Sequence, residues 1–148
     1  MEKSVRITIK GTQKAYKEEP QVIEFITRGT LQRFGAKLRI SYEESELIGT
    51  NGVVSTFEIE NGRISLERSG KLRARMEFVP GERTESLYVT EAGTLVLTIT
   101  ARSVETDMTD AGGSIHLKYA VSCERRLLSL NTYDIQVEPE PAAEDAKE

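Results

Sequence analysis

The chain has no tryptophan, one histidine, one cysteine and four prolines among 148 residues. Each scarcity excludes something. A lone cysteine, Cys123, cannot form an intrachain disulfide and fits a reducing compartment. The single histidine, His116, lies seven positions before Cys123 on one strand-like segment. An odd separation sends the two side chains to opposite faces, so they do not form a metal pair. His116 sits on a polar row and reads as a solvated strand histidine, whereas Cys123 continues an apolar row as a small hydrophobe. Any Ser/His/Asp or Cys/His centre would have to use His116. No Gly-x-Ser-x-Gly elbow, phosphate loop or dinucleotide fingerprint is present. No catalytic residue, metal ligand or cofactor is therefore expected. No apolar run approaches the ~20 residues of a membrane span, and Met1–Lys10 alternates instead of building a signal-peptide core. The expectation is a cytoplasmic protein that does not engage membranes.

Charge narrows the choice further. The net charge of −4 resides in the last eleven residues, where five acids face one lysine, so residues 1–137 carry 19 charges of each sign. A neutral body with four phenylalanines and five tyrosines offers neither a basic face nor a stacking platform, so nucleic acid is not an expected partner. Residues 138–148 lack a large apolar side chain and read as an acidic, disordered tail after a 1–137 domain. A length of 148 residues with 38% apolar content suits one domain with a real core.

What is plentiful is alternation. Val5, Ile7 and Ile9 alternate with Arg6, Thr8 and Lys10, and the same period of two recurs in Leu38–Tyr42, Ile64–Glu67, Leu72–Phe78 and Ile115–Tyr119. Period two marks half-buried strands. Turn residues interrupt it at Gly11, Arg28-Gly29, Asn51-Gly52, Asn61-Gly62, Gly70, Pro80-Gly81, Gly93 and Gly112-Gly113. Ten strand segments result: 3–11, 21–28, 31–43, 53–60, 63–68, 72–79, 84–90, 94–106, 113–123 and 127–137. Short strands at this spacing predict an all-β fold, a single antiparallel up-and-down barrel of eight to ten strands.

Turn chemistry predicts register. Asn61-Gly62 suits a two-residue type I′ hairpin, which pairs Glu60 with Arg63, Ile59 with Ile64, Phe57 with Leu66, and Ser55 with Arg68. A three-residue loop at Ser69-Gly70-Lys71 then pairs Leu66 with Ala74, Arg68 with Leu72, and the outer Glu67 with Arg73. A three-residue loop at Glu91-Ala92-Gly93 aligns Leu87 and Val89 with Leu95 and Leu97, and turns Tyr88 and Thr90 outward. In the last segment Leu128 and Leu130 read as inward. Tyr133, Ile135 and Val137 have the other parity, which calls for a bulge near Thr132.

Two charged groupings read as solvent-facing. Glu43, Glu44 and Glu46 form an acidic rim at a strand end, and Lys71, Arg73 and Arg75 form a basic column beside Glu67. One constellation points inward. Arg68 continues the row Ile64-Leu66, its partner Ser55 continues the row Phe57-Ile59, and Tyr42 and Tyr119 continue two further inward rows. A barrel of this size can hold a small ligand, and a guanidinium among hydroxyls suits a carboxylate or phosphate. The alternative is an Arg68 that snorkels to the rim or pairs with an acid there.

Several short motifs carry a family resemblance. They are Tyr42-Glu43-Glu44-Ser45, Asn51-Gly52 through Phe57, Arg68-Ser69-Gly70, Tyr88-Val89-Thr90-Glu91-Ala92-Gly93 and Lys118-Tyr119. In this order and spacing the chain resembles the small bacterial YwiB-like family (DUF1934), an uncharacterised group. The resemblance implies a calycin-like, lipocalin-like β-barrel and carries no activity, ligand or catalytic residue with it. It also pairs Tyr88 with Thr90, in tension with the outward facing that the three-residue loop gives them; a four-residue loop at Glu91–Thr94 would instead put both in line with Leu95 and Leu97. Two functions follow as expectations. One is binding of a small anionic or amphiphilic ligand inside the barrel, through Arg68, Ser55, Tyr42 and Tyr119. The other is a non-catalytic interaction or structural module whose core is filled, which the large residues in the inward rows favour. An enzyme ranks behind both, and the sequence carries no signature of oligomeric state.

Overall fold

At Asn61 and Gly62 the backbone takes φ values of 51° and 75°, the left-handed pair that a type I′ turn requires. The turn joins β4 (Val54–Glu60) to β5 (Arg63–Ser69), with Glu60 opposite Arg63, Ile59 opposite Ile64 and Ser55 opposite Arg68, in the register the turn chemistry predicts. The other strands repeat this hairpin logic. In a computed structural model describing residues 2–43 and 52–140, β1 (Glu2–Ala15), β2 (Gln21–Phe34) and β3 (Lys37–Glu43) precede that hairpin. After it come β6 (Arg73–Phe78), β7 (Arg83–Thr90), β8 (Gly93–Thr109), β9 (Gly112–Cys123) and β10 (Arg126–Pro139). Each strand pairs antiparallel with its sequence neighbour, and β10 returns to β1, closing a ten-stranded up-and-down barrel. No helix among the described residues is long and apolar enough to cross a membrane. Of the acidic rim, Glu43 is exposed at the end of β3, and Glu44 and Glu46 lie outside the described residues, as does 141–148 of the tail.

Five readings of turn and register are corrected, the first at Gly11, which lies inside β1 and not in a turn. Gly29 is not in a turn. β2 runs through it to Phe34, and the hairpin to β3 is made at Gly35-Ala36. A Cβ on Gly29 would lie 2.2 Å from the Ser41 carbonyl oxygen and 2.7 Å from Ile7 Cδ1, so glycine is there for close approach. The β5–β6 register is two residues from expectation. Leu66 faces Met76, Arg68 faces Ala74, and the outer ion pair is Glu67–Arg75 at 3.1 Å. A slip of two preserves which face each side chain takes, so the inward row survives. The β7–β8 loop has two residues, Glu91-Ala92, with Thr90 opposite Gly93, and Tyr88 therefore points inward opposite Leu95. The Thr90 hydroxyl donates to the Gly93 carbonyl and accepts from the Ala92 amide, which closes the short loop. Thr109 does the same with Gly112 and Ala111 at the β8–β9 turn. Finally, the β10 irregularity falls at Leu128, before the expected site at Thr132. It leaves Leu128 and Leu130 facing out and brings Ser129, Asn131 and Tyr133 to the inner face.

The barrel is packed solid over half its length. Val5, Ile7, Leu31, Ile40, Ile64, Phe78, Ile99, Ile115 and Val137 are each at most 2% exposed and form one cluster. A ten-stranded barrel is wider than an eight-stranded one, so its inner rows need not fill it from end to end. The least-laddered seam is between β6 and β7, where pairing is confined to Arg73–Val89 and Ala74–Tyr88. Beyond those pairs the Thr84 hydroxyl donates to the Glu77 carbonyl at 2.8 Å, and the buried Ser86 hydroxyl has no hydrogen-bond partner.

Candidate functional site

One inward row crosses five consecutive strands at the end of the barrel where β3 finishes and β4 begins. Tyr42 of β3 faces Ser55 of β4, Ser55 faces Arg68 of β5, Arg68 faces Ala74 of β6, and Ala74 faces Tyr88 of β7. The small Ala74 stands between Arg68 and Tyr88 in this row, and Arg68 Nη1 reaches to 3.5 Å from the Tyr88 hydroxyl. Ser55 is 2% exposed, whereas Arg68, Tyr42 and Tyr88 are half-buried.

The row forms one wall of an interior cavity of about 340 Å3. The opposite wall is β9, β10 and β1. Tyr119 and Leu117 come from β9, Tyr133 and Ile135 from β10, and Ile9 and Gln13 from β1. Ile23 and Phe25 of β2, Phe57, Leu66 and Met76 complete the sides, and Phe78 lies toward the packed half. All four residues singled out in the sequence, Arg68, Ser55, Tyr42 and Tyr119, line this one cavity. Tyr88 was missed because a loop one residue too long turned it outward. The pairing of Tyr88 with Thr90 in the family motif is the signal that pointed inward, by way of a four-residue loop where the structure reaches the same facing with two residues.

The rings are arranged in contact. Tyr119 lies 4.8 Å from Phe78 and nearly parallel to Tyr133 at 6.3 Å, with 16° between planes. Tyr42 is nearly parallel to Phe57 at 6.4 Å and tilted against Phe25 at the same distance. Burial pushes the Tyr119 phenol well above its ordinary range, and Tyr133 adds to this. The Arg68 charge opposes the shift and Tyr42 reinforces it. Tyr119 is thus a neutral hydroxyl at physiological pH, able to donate and accept a hydrogen bond but not to act as a base. Arg68 keeps its charge, since a guanidinium does not deprotonate in proteins. Among the described residues lining the cavity it is the one charged side chain. The chemistry available is recognition of negative charge at the Arg68–Tyr88 side and of apolar or aromatic surface elsewhere.

Away from the cavity, His116 is on the outer face, with Nδ1 2.6 Å from Asp134 Oδ1 on the neighbouring strand. The first two acids of the expected tail are engaged with the barrel: Glu138 pairs with Arg6 at 2.8 Å and Glu140 with Arg28 at 2.7 Å. β10 accordingly extends to Pro139.

Comparison with known proteins agrees with this architecture. The "Uncharacterized beta-barrel protein YwiB" of Bacillus subtilis is 29% identical over 99 residues, which cover 67% of this chain and 68% of the relative. The crystal structure of the ywiB protein from Bacillus subtilis superposes with a TM-score of 0.83 at 24% identity, covering 95% of this chain and 94% of that one. At that identity the superposition speaks for the fold. The family described as "Domain of unknown function (DUF1934)" matches residues 7–135, nearly the whole barrel, and the chain belongs to that family.

Proposed function

We propose that the protein binds a small anionic or amphiphilic molecule inside the open half of its barrel. The observation that carries this reading is the cavity itself. Its volume of about 340 Å3 lies within the range of ligand sites, which begins at roughly 300 Å3, and its walls combine one guanidinium, several hydroxyls and the Gln13 amide with apolar side chains. Large inward residues favoured a filled core, and they do fill one half of the barrel. A cytoplasmic location accompanies the proposal, since the one cysteine of the sequence suits a reducing compartment.

The test is thermal melting of the full chain against a panel of small carboxylates, phosphates and amphiphiles, for the wild type and for Arg68→Met. A ligand present at about a hundred times its Kd stabilises the folded state by about 2.7 kcal/mol, a readily measured shift. Stabilisation of the wild type by an anion, absent in a folded Arg68→Met, supports the reading. A panel without effect on the wild type counts against it. The second reading, an interaction module, draws on Leu87 and Val96, ladder partners on the outer face that are 58% and 51% exposed.

A further inference from the structure

The distribution of aromatic residues over the molecule is uneven. The chain has four phenylalanines and five tyrosines. Three of the former and four of the latter line the cavity, and the two left out, Phe34 and Tyr16, are 49% and 69% exposed. The seven rings come from seven different strands, so aromatic surface encircles the site. Two near-parallel ring pairs, Tyr119–Tyr133 and Tyr42–Phe57, stand on opposite walls. Such rings favour offset-stacked and edge-to-face contacts with another ring, a geometry an alkyl chain does not use.

Depth is limited as well. The lining spans Leu66 to Arg68 on β5 and Ile9 to Gln13 on β1, whereas the next inward residues, Ile64 and Ile7, are fully buried and lie outside the lining. At about 3.3 Å per residue these spans run roughly 7–13 Å along strands that tilt against the barrel axis, which is an upper bound on the depth of the site. An extended acyl chain has no path into the packed half, and a compact ring system does not need one.

We infer that the ligand class of this cavity is a compact planar aromatic anion, a carboxylate or comparable oxyanion carried on a fused or single ring. The inference rests on the ligand-binding reading above and narrows it. The anionic group lies on the Arg68 and Tyr88 side, and the ring lies among Phe25, Tyr42, Phe57 and Tyr133.

Isothermal titration calorimetry of the full chain tests it, with naphthoate as the aromatic carboxylate, decanoate as the alkyl carboxylate and naphthalene methanol as the uncharged ring. Naphthoate is expected to bind at least about tenfold more tightly than either of the others. Arg68→Gln should remove most of the advantage of naphthoate over the uncharged ring. Should Arg68→Gln fail to fold, Phe25→Leu, which removes a half-buried wall ring, keeps the inference testable. It should weaken naphthoate several-fold and leave decanoate unchanged. Decanoate binding as tightly as naphthoate, or Phe25→Leu affecting both equally, overturns the aromatic class and leaves ligand binding standing. Failure of all three probes to bind overturns both.

Discussion

Gly11 and Tyr133 face each other across the β1–β10 ladder, and the tyrosine ring occupies the space that a side chain at position 11 would need. A Cβ built on Gly11 would lie 2.5 Å from the ring carbon Cε1 of Tyr133 and 2.6 Å from Cδ1. The missing side chain is what lets the Tyr133 ring lie against the backbone, where it lines the cavity and stacks on Tyr119. Gly11→Ala is expected to destabilise the barrel by about 1–3 kcal/mol, in the range of overpacking substitutions. It should also shift the Tyr133 and Tyr119 ring resonances in NMR spectra. Unchanged stability and unchanged ring shifts would show that Tyr133 is not held by this contact.

Gly11 and Gly29 also explain a limit of what the residues reveal. Both read as turn residues in the sequence, and both lie inside strands. A glycine kept for close approach and a glycine kept for positive φ are the same letter, and only the three-dimensional neighbour separates them. Asn61-Gly62 was legible because two adjacent residues jointly specify one turn. Parity was legible too, which is why Arg68, Ser55, Tyr42 and Tyr119 converge on one cavity although the β5–β6 register differs by two residues from expectation. Parity does not set loop length, and for Tyr88 a single residue of loop length decided inside against outside. The shared pattern Thr90-Glu91-Ala92-Gly93 and Thr109-Asp110-Ala111-Gly112 was present in the sequence and marks the same two-residue turn twice.

The β9–β10 turn places two ordinary residues, Glu124 and Arg125, at φ 49° and 70°. Left-handed backbone costs a residue with a Cβ roughly 1 kcal/mol, and glycine does not carry that cost. Arg125→Gly is therefore expected to raise stability by up to about 1 kcal/mol, seen as a higher urea midpoint with an unchanged slope. A lower midpoint would mean that the Arg125 side chain makes a contact worth more than the backbone strain.

Acid stability has a specific contributor on the outer face. Arg39 donates from Nε at 2.9 Å and Nη2 at 2.7 Å to Glu58 Oε2, and this hydrogen bonding holds the Glu58 carboxyl below its usual range. Partial burial opposes the shift, and the charges of Lys37, Arg39 and Arg75 reinforce it. A lowered folded-state pKa gives a contribution complete above the unfolded value of 4.5, lost as pH falls through the folded value. Glu58→Gln should thus lower stability at neutral pH by about 1 kcal/mol or less and flatten the fall below pH 4.5. Urea midpoints measured from pH 7 down to about pH 3 check this, the window being set by ordinary carboxylate pKa values. A parallel fall in both proteins would remove Glu58 from the account.

The sparse β6–β7 pairing should be visible in hydrogen exchange. Amides of Arg75–Phe78 and Thr84–Leu87 that face the seam are expected to exchange faster than those of the long β8–β9 ladder. Equal protection across both pairs of strands would show that the seam is as stable as the rest of the barrel.

The proposed function requires a small molecule in the cavity around Arg68. Native mass spectrometry of protein purified gently from its own host tests this most directly, since it needs no guess about ligand identity. A noncovalent adduct is expected on the folded wild-type protein, released on denaturation and absent from folded Arg68→Met. A wild-type protein that flies at its sequence mass alone, and that stays unliganded after incubation with a host metabolite extract, would contradict it.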